Sequence, residues 1–137
     1  MLSATMALFI SSCSSNKVSQ CNRLITTINQ TEGDLENITQ TTPPDINALK
    51  QIATTTQLAV TNLNEVELAN GDLKGFQARF QQFYGDISQN AQTIVAAYGE
   101  QNMDTAEAAY QQLESTFSQQ ETLVNSLNQY CSEGYGE

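Results

Sequence analysis

Residues 106–131, AEAAYQQLESTFSQQETLVNSLNQYC, decide the fold of this chain. Large or apolar side chains recur there in alternating steps of four and three residues, which is the spacing of one face of an α-helix. The stripe consists of Ala106, Tyr110, Leu113, Phe117, Gln120, Val124, Leu127 and Cys131. The spacing predicts one amphipathic helix over about 104–131, with Asp104 as its N-cap. The tail, residues 132–137, is expected to be flexible.

Three further stretches show the same rhythm and predict helices over about 16–39, 45–68 and 72–98. Breaks at Pro43-Pro44, Asn70-Gly71 and Gly99 separate them, since Pro and Gly interrupt helices. The predicted core positions are Val18, Cys21, Ile25, Ile28 and Leu35; then Leu49, Ile52, Thr56, Ala59, Leu63 and Val66; then Leu73, Phe76, Phe80, Phe83, Ile87, Ile94 and Tyr98. Four such helices with short turns favour an all-α, antiparallel up-down-up-down four-helix bundle over 17–131. The alternative is three packed helices with the first one loosely docked.

The composition argues against several classes of function. The 137 residues indicate one domain, and 15 acidic against 5 basic residues give a net charge of −10, which disfavours binding to nucleic acid. The chain contains no His, the commonest general base and metal ligand. We therefore expect a protein that is not an enzyme and that uses neither a cofactor nor a metal.

The N-terminal residues combine an apolar segment with a cysteine motif. Residues 1–10, MLSATMALFI, are too short to span a bilayer as a helix, which takes roughly 20 residues, but fit the apolar core of an export signal. The following Ile10-Ser11-Ser12-Cys13 resembles the lipobox of bacterial lipoproteins. The resemblance implies a signal peptide over 1–12, cleavage before Cys13, lipid on its sulfur, and a tether over 13–16.

Two further points bear on this segment. No Lys or Arg precedes Lys17, although export signals begin with a basic region, so the signal is expected to be truncated at its start. The alternative interpretation is the apolar N-terminus of a cytosolic protein.

The three cysteines support the lipoprotein interpretation by their number. If Cys13 carries lipid, Cys21 and Cys131 remain as an even pair in an oxidising compartment. An up-down-up-down bundle brings the start of its first helix and the end of its last helix to the same end. We therefore predict a Cys21–Cys131 disulfide, with two buried reduced thiols as the alternative.

The helical layout and the Asn/Gln/Thr-rich composition also resemble small cyanobacterial helical-bundle lipoproteins. This resemblance carries over no functional residue. Together with the lipobox it implies a protein of the cell envelope, anchored in a membrane and facing the periplasm or the thylakoid lumen.

These expectations lead to two hypotheses about function. The first is a protein-interaction or assembly module whose cystine end lies near the membrane, with partner contacts in the outward turns. The candidate contact residues are Thr42, Pro43 and Pro44, together with Gln101, Asn102 and Met103. The second is a carrier that holds an apolar small ligand between the helices beside Phe80 and Phe83. A filled core at these two residues favours the first hypothesis.

Overall fold

A computed structural model describes residues 7–40 and 45–133, with side chains from residue 16 onward in these ranges. All regular secondary structure in them is helical, and the helices are α1 (Ala7–Gln40), α2 (Ile46–Asn64), α3 (Gly71–Gly99), α4 (Met103–Phe117) and α5 (Gln120–Ser132). The prediction of an all-α bundle is thus confirmed. Helix α3 lies between α2 and α4 and packs most extensively on both, while α1 packs mainly on α2 and α5 contacts α1 and α3.

One hydrophobic core joins the helices. Its most deeply buried apolar side chains are Leu24, Leu63, Leu73, Phe80, Tyr84 and Ile87, each 0% exposed. Two polar core residues bond to backbone carbonyls: the Thr56 hydroxyl donates to Ile52 at 2.7 Å and the Ser88 hydroxyl donates to Ala53 at 2.9 Å. No buried side-chain nitrogen or oxygen in the described residues lacks a hydrogen-bond partner, as a stable core requires.

Two aromatic residues of the predicted stripes lie on the surface instead. Tyr98 is 49% exposed and Tyr110 is 42% exposed, so their assignment to the core is wrong. The buried face of α4 passes through Ala106, Ala109, Leu113 and Thr116. A strict seven-residue repeat rotates by about 20° per heptad around a straight helix. Positions of the predicted stripe that lie near a helix end therefore point away from the core.

The predicted helix over 104–131 is two helices, because Ser118 and Gln119 separate α4 from α5. The Thr116 hydroxyl donates to the carbonyl of Gln112 at 2.9 Å, and the Ser118 hydroxyl donates to that of Ser115 at 2.6 Å. Such bonds compete with the helical ladder and bend it. The backbone N–H of Gln119 accordingly donates to Thr116, three residues back, at 3.0 Å.

The ends of α1 and α2 also differ from the prediction. Helix α1 begins at Ala7, so the backbone of the expected tether over 13–16 is helical; no Gly or Pro interrupts residues 7–15. Helix α2 ends at Asn64 and not near residue 68. The Gln77 amide of α3 donates to the carbonyls of Leu63 at 2.6 Å and Val66 at 2.9 Å. When α2 ends at Asn64, these carbonyls lack the N–H partner that a longer helix would supply, and the Gln77 amide takes that place.

The turn between α3 and α4 is a Schellman motif centred on Gln101. The N–H of Asn102 donates to the carbonyl of Ala97 at 2.8 Å, and that of Gln101 donates to Tyr98 at 3.2 Å. Gln101 has a φ of 58°, in the left-handed region. Asn102 then caps α4, because its side chain accepts from the N–H of Thr105 at 3.2 Å.

Replacing Gln101 with Gly is expected to raise the free energy of unfolding by about 0.5–1 kcal/mol, because Gly adopts positive φ without the steric cost of a Cβ. Gln101→Ala keeps the Cβ and serves as the matched control, with no comparable gain. Urea denaturation followed by circular dichroism measures both. Equal stability of the Gly and Ala variants would contradict the assignment of strain to Gln101.

Candidate functional site

The two cysteines lie together in a polar and aromatic cluster that we call the cystine end. The sulfur atoms of Cys21 and Cys131 lie 2.20 Å apart and their Cα atoms 5.9 Å apart, which is disulfide geometry, as predicted. The Gln20 side-chain oxygen accepts from the N–H groups of Ala69 at 2.7 Å and Asn70 at 3.0 Å. Residues 20–21 in the N-terminal half of α1, the turn before α3 and the end of α5 are therefore held together.

Tyr130 completes the cystine end. Its hydroxyl lies 3.1 Å from the Asn70 side-chain oxygen and 3.2 Å from an Asp72 carboxylate oxygen. Its ring packs on Phe76, with centroids 5.7 Å apart, and the Lys17 ammonium lies 4.1 Å from the ring centre. These contacts fix the last turn of α5 on α3, which protects the disulfide beside it.

The other end of α3 forms part of a surface groove that we call the outer groove. Its volume is about 650 Å³. Its lining residues are Asp45, Ile46 and Leu49 of the α2 start, Ile94 and Tyr98 of the α3 end, and Met103, Ala106, Glu107 and Tyr110 of α4. Helix α3 has 29 residues, so the outer groove and the cystine end are separated by about 40 Å at 1.5 Å per residue.

The outer groove is apolar at its floor and on its exposed walls. Leu49, Ile94 and Ala106 form a buried floor, with exposed fractions of 5%, 1% and 4%. Met103 is 51% exposed, and together with Tyr98 and Tyr110 it makes up three of the four exposed large hydrophobic residues in the described part of the chain. Their grouping in one groove makes this surface a candidate binding site.

The rim of the outer groove is acidic. Asp45 and Glu107 line it and are exposed, and Glu100 and Asp104 lie on the adjoining turn, also exposed. None of its lining residues is Lys or Arg. This end therefore carries four carboxylates, and no basic side chain lines the groove beside them.

The predicted contact residues have different positions. Met103 lines the outer groove, Gln101 holds the left-handed position of the turn, and Asn102 caps α4. Thr42, Pro43 and Pro44 lie outside the described residues, although Asp45, which follows them, lines the groove. Cys13 lies in the helical backbone of α1 and its side chain is outside the described part.

The sequence interpretation missed the apolar residues that make the outer groove. The heptad pattern predicts core positions for Leu49, Tyr98 and Tyr110, each in a different helix, and assigns no role to Ile46. What these four residues share is their position: each lies within two turns of the end of its helix. These helix ends lie together at the C-terminal end of α3.

A buried polar network lies midway along the bundle. The Tyr84 hydroxyl donates to one carboxylate oxygen of Glu32 at 2.5 Å, and the Gln120 amide donates to the other. Burial raises the pKa of the Glu32 carboxyl, and the bond from Tyr84 offsets that rise in part. Burial, the Glu32 charge and their shared bond raise the pKa of Tyr84, which stays a donor. Glu32 thus joins α1 to α3 and to the α4–α5 junction.

Glu32 gives the fold a defined pH dependence. The pKa of the Glu32 carboxyl is higher in the folded than in the unfolded chain, so protonation of Glu32 stabilises the fold. This contribution to the free energy of unfolding is complete below the ordinary Glu pKa. It is lost as the pH rises through the raised pKa of the folded state. Glu32→Gln should remove this fall, with Gln120 turning its amide to keep the contact. Urea denaturation at several pH values measures the effect.

Tyr84→Phe is the matched variant for this test. It removes the hydrogen bond that lowers the Glu32 pKa, so the fall in stability with rising pH should extend to higher pH. A Glu32→Gln profile parallel to that of the wild type would contradict the role given to this carboxyl.

The aromatic residues of α3 are packed against one another. Phe83 and Tyr84 have ring centroids 5.1 Å apart, Phe80 and Tyr84 6.2 Å, and Phe83 and Phe117 6.5 Å. Phe80 and Tyr84 are 0% exposed and Phe83 is 5% exposed. Phe80, Phe83 and Tyr84 therefore form core, and only an edge of Phe83 reaches a surface pocket between α3 and α5.

Within the described residues, no group of three His, Cys, Asp or Glu side chains is arranged to hold a metal ion. Among the helices of that part of the chain, none combines the length and the apolar character that a membrane span needs. No protein family, curated protein or solved structure matches this chain.

Proposed function

We propose that this chain is a non-catalytic, membrane-anchored extracytoplasmic lipoprotein that acts as a protein-interaction or assembly module through its outer groove. The observation that supports this best is the grouping of Tyr98, Met103 and Tyr110 around one apolar groove, far from the cystine end. Packed aromatic residues around Phe80 favour this function over that of an apolar-ligand carrier.

The proposal includes an antiparallel up-down-up-down arrangement of four helical segments, the last of them bent between α4 and α5. Three contacts support it. Gln20 in the N-terminal half of α1 bonds to the turn before α3, Ser88 of α3 bonds to Ala53 of α2, and Cys131 at the end of α5 meets Cys21. In this arrangement the outer groove lies at the end opposite the disulfide.

A lipid on Cys13 would place the cystine end next to the membrane. Eight helical residues separate Cys13 from Cys21, a distance of about 12 Å at 1.5 Å per residue. Four of the five basic residues, Lys17, Arg23, Lys74 and Arg79, lie in the half of the chain's helices nearer the cystine end. The acidic outer groove would then face away from anionic headgroups, in the position that a partner can reach.

Site-specific photo-crosslinking in cells that express the full chain tests this function. A photoreactive residue at Met103 should give a discrete, reproducible adduct, whereas one at Asn125, exposed on α5, should not. Mass spectrometry of the same purified protein should show an acylated N-terminal Cys13. Equal labelling from both positions, or an unmodified protein in the soluble fraction, would overturn the proposal.

A further inference from the structure

We infer that the outer groove binds a cationic amphipathic helix of the partner protein, with apolar side chains on the groove floor and Lys or Arg side chains on its rim. This inference rests on the proposed function and specifies the chemistry of the partner. It is carried by the apolar floor, the acidic rim and the helical walls of the groove.

The walls of the groove favour a helix over an extended peptide. They consist of α2, α3 and α4 and include no β-strand, so they offer no free sheet edge to an extended strand. An extended segment pressed onto this apolar surface would bury backbone groups without partners. A helix satisfies its own backbone and presents side chains at i, i+3, i+4 and i+7 along one side.

The side chains of the groove suit such a surface. Met103 is flexible and adapts to apolar partners of different shape, and Tyr98 and Tyr110 combine an apolar ring with a polar hydroxyl. The volume of about 650 Å³ lies in the usual range for binding pockets and holds several aliphatic side chains.

The charges around the groove specify a cationic partner. Asp45 and Glu107 lie on its rim with no basic side chain among the lining residues. Helix ends of both polarities meet at the groove, the C-terminal end of α3 and the N-terminal ends of α2 and α4, so its negative charge comes from the carboxylates of the rim. Glu100 at the α3 C-cap adds to this negative potential. A Lys or Arg from a partner would supply the missing positive charge.

Peptide titration against the purified full chain tests the inference. The probes are a labelled 14-residue amphipathic helix of Leu and Lys, a Leu/Glu helix of the same pattern, and a Leu/Lys peptide of scrambled order. Fluorescence anisotropy should show that the amphipathic Leu/Lys helix binds at least about tenfold more tightly than either of the other two. Its affinity should fall as salt is raised, because the rim charges are exposed.

Three variants locate the bound peptide. Met103→Ser with Tyr110→Ser should weaken binding about tenfold or more, since it removes two exposed apolar contacts. Leu58→Ser is the control for location, because Leu58 is the fourth exposed large hydrophobic, at 56%, and lines a different groove of about 760 Å³ between α2 and α3. Asp45→Asn with Glu107→Gln keeps the N-cap oxygen of α2 and should reduce the salt dependence, since it removes two of the four rim carboxylates.

The results separate the inference from the proposed function. If the Leu/Lys peptides bind the groove variant and the Leu58 variant with equal affinity, the attraction is a non-specific one to an acidic protein. That result would overturn the inference. A specific adduct at Met103 without preference for the cationic helix would leave the interaction module standing and refute only this partner chemistry.

Discussion

Replacing Cys21 and Cys131 together with Ala should lower the free energy of unfolding by about 4–5 kcal/mol, the largest effect expected of any change in this chain. The disulfide joins residues separated by 110 positions, so it constrains almost the whole unfolded bundle. Small domains are stable by only about 5–15 kcal/mol, so the loss removes a large share of the total. Urea denaturation at neutral pH measures it.

The wild-type protein under reducing conditions is the matched control for this prediction. Once reduced in denaturant and refolded with reductant present, it should unfold at nearly the same urea concentration as the double Ala variant. The reductant should leave the variant unchanged. Cys21 and Cys131 are 1% and 5% exposed, so reduction of the folded protein should be slow. A wild type whose stability is the same with and without reductant would contradict a stabilising disulfide.

The periodic pattern predicts the all-α class, and together with the cysteine count it predicts the cysteine pair, but it misses the break at Ser118 and the ends of α1 and α2. Apolar spacing predicts an all-α chain because burial of one helix face is the dominant local constraint. Cys21 and Cys131 meet because they occupy the start of the first stripe and the end of the last one. The all-α class and the cysteine pair both follow from the positions of residues along the sequence. Neither depends on how individual side chains pack.

The outer groove was not predictable in the same way. It depends on how far the ends of three helices extend past the core, and the heptad rhythm assigns Tyr98 and Tyr110 to the interior. The network of Glu32, Tyr84 and Gln120 joins residues far apart in the sequence, with no spacing signal of its own. The bend at Ser118 likewise arises from hydroxyl-to-backbone bonds that compete with the helix.

Phe80→Ala is the second change for which we expect a large effect, a loss of about 3–5 kcal/mol in the free energy of unfolding. Phe80 is 0% exposed and packs on Tyr84 and its neighbours, so truncation leaves a cavity that the surrounding helices close only in part. Gln82→Ala on the same helix, at an exposed position, should change stability by no more than about 0.5 kcal/mol. A loss below about 1 kcal/mol in the Phe80 variant would contradict a tightly packed core at this position.

The Phe80 variant also separates the interaction module from the apolar-ligand carrier. A cavity lined by apolar side chains stays dry and binds benzene-sized molecules, so benzene should raise the melting temperature of Phe80→Ala in a concentration-dependent way. The wild type, whose core position is filled by Phe80 itself, should show no such rise. If benzene raises the melting temperature of the wild type by a comparable amount, its helices must open a cavity in solution. The carrier function would then account for the aromatic residues of α3 better than core packing does.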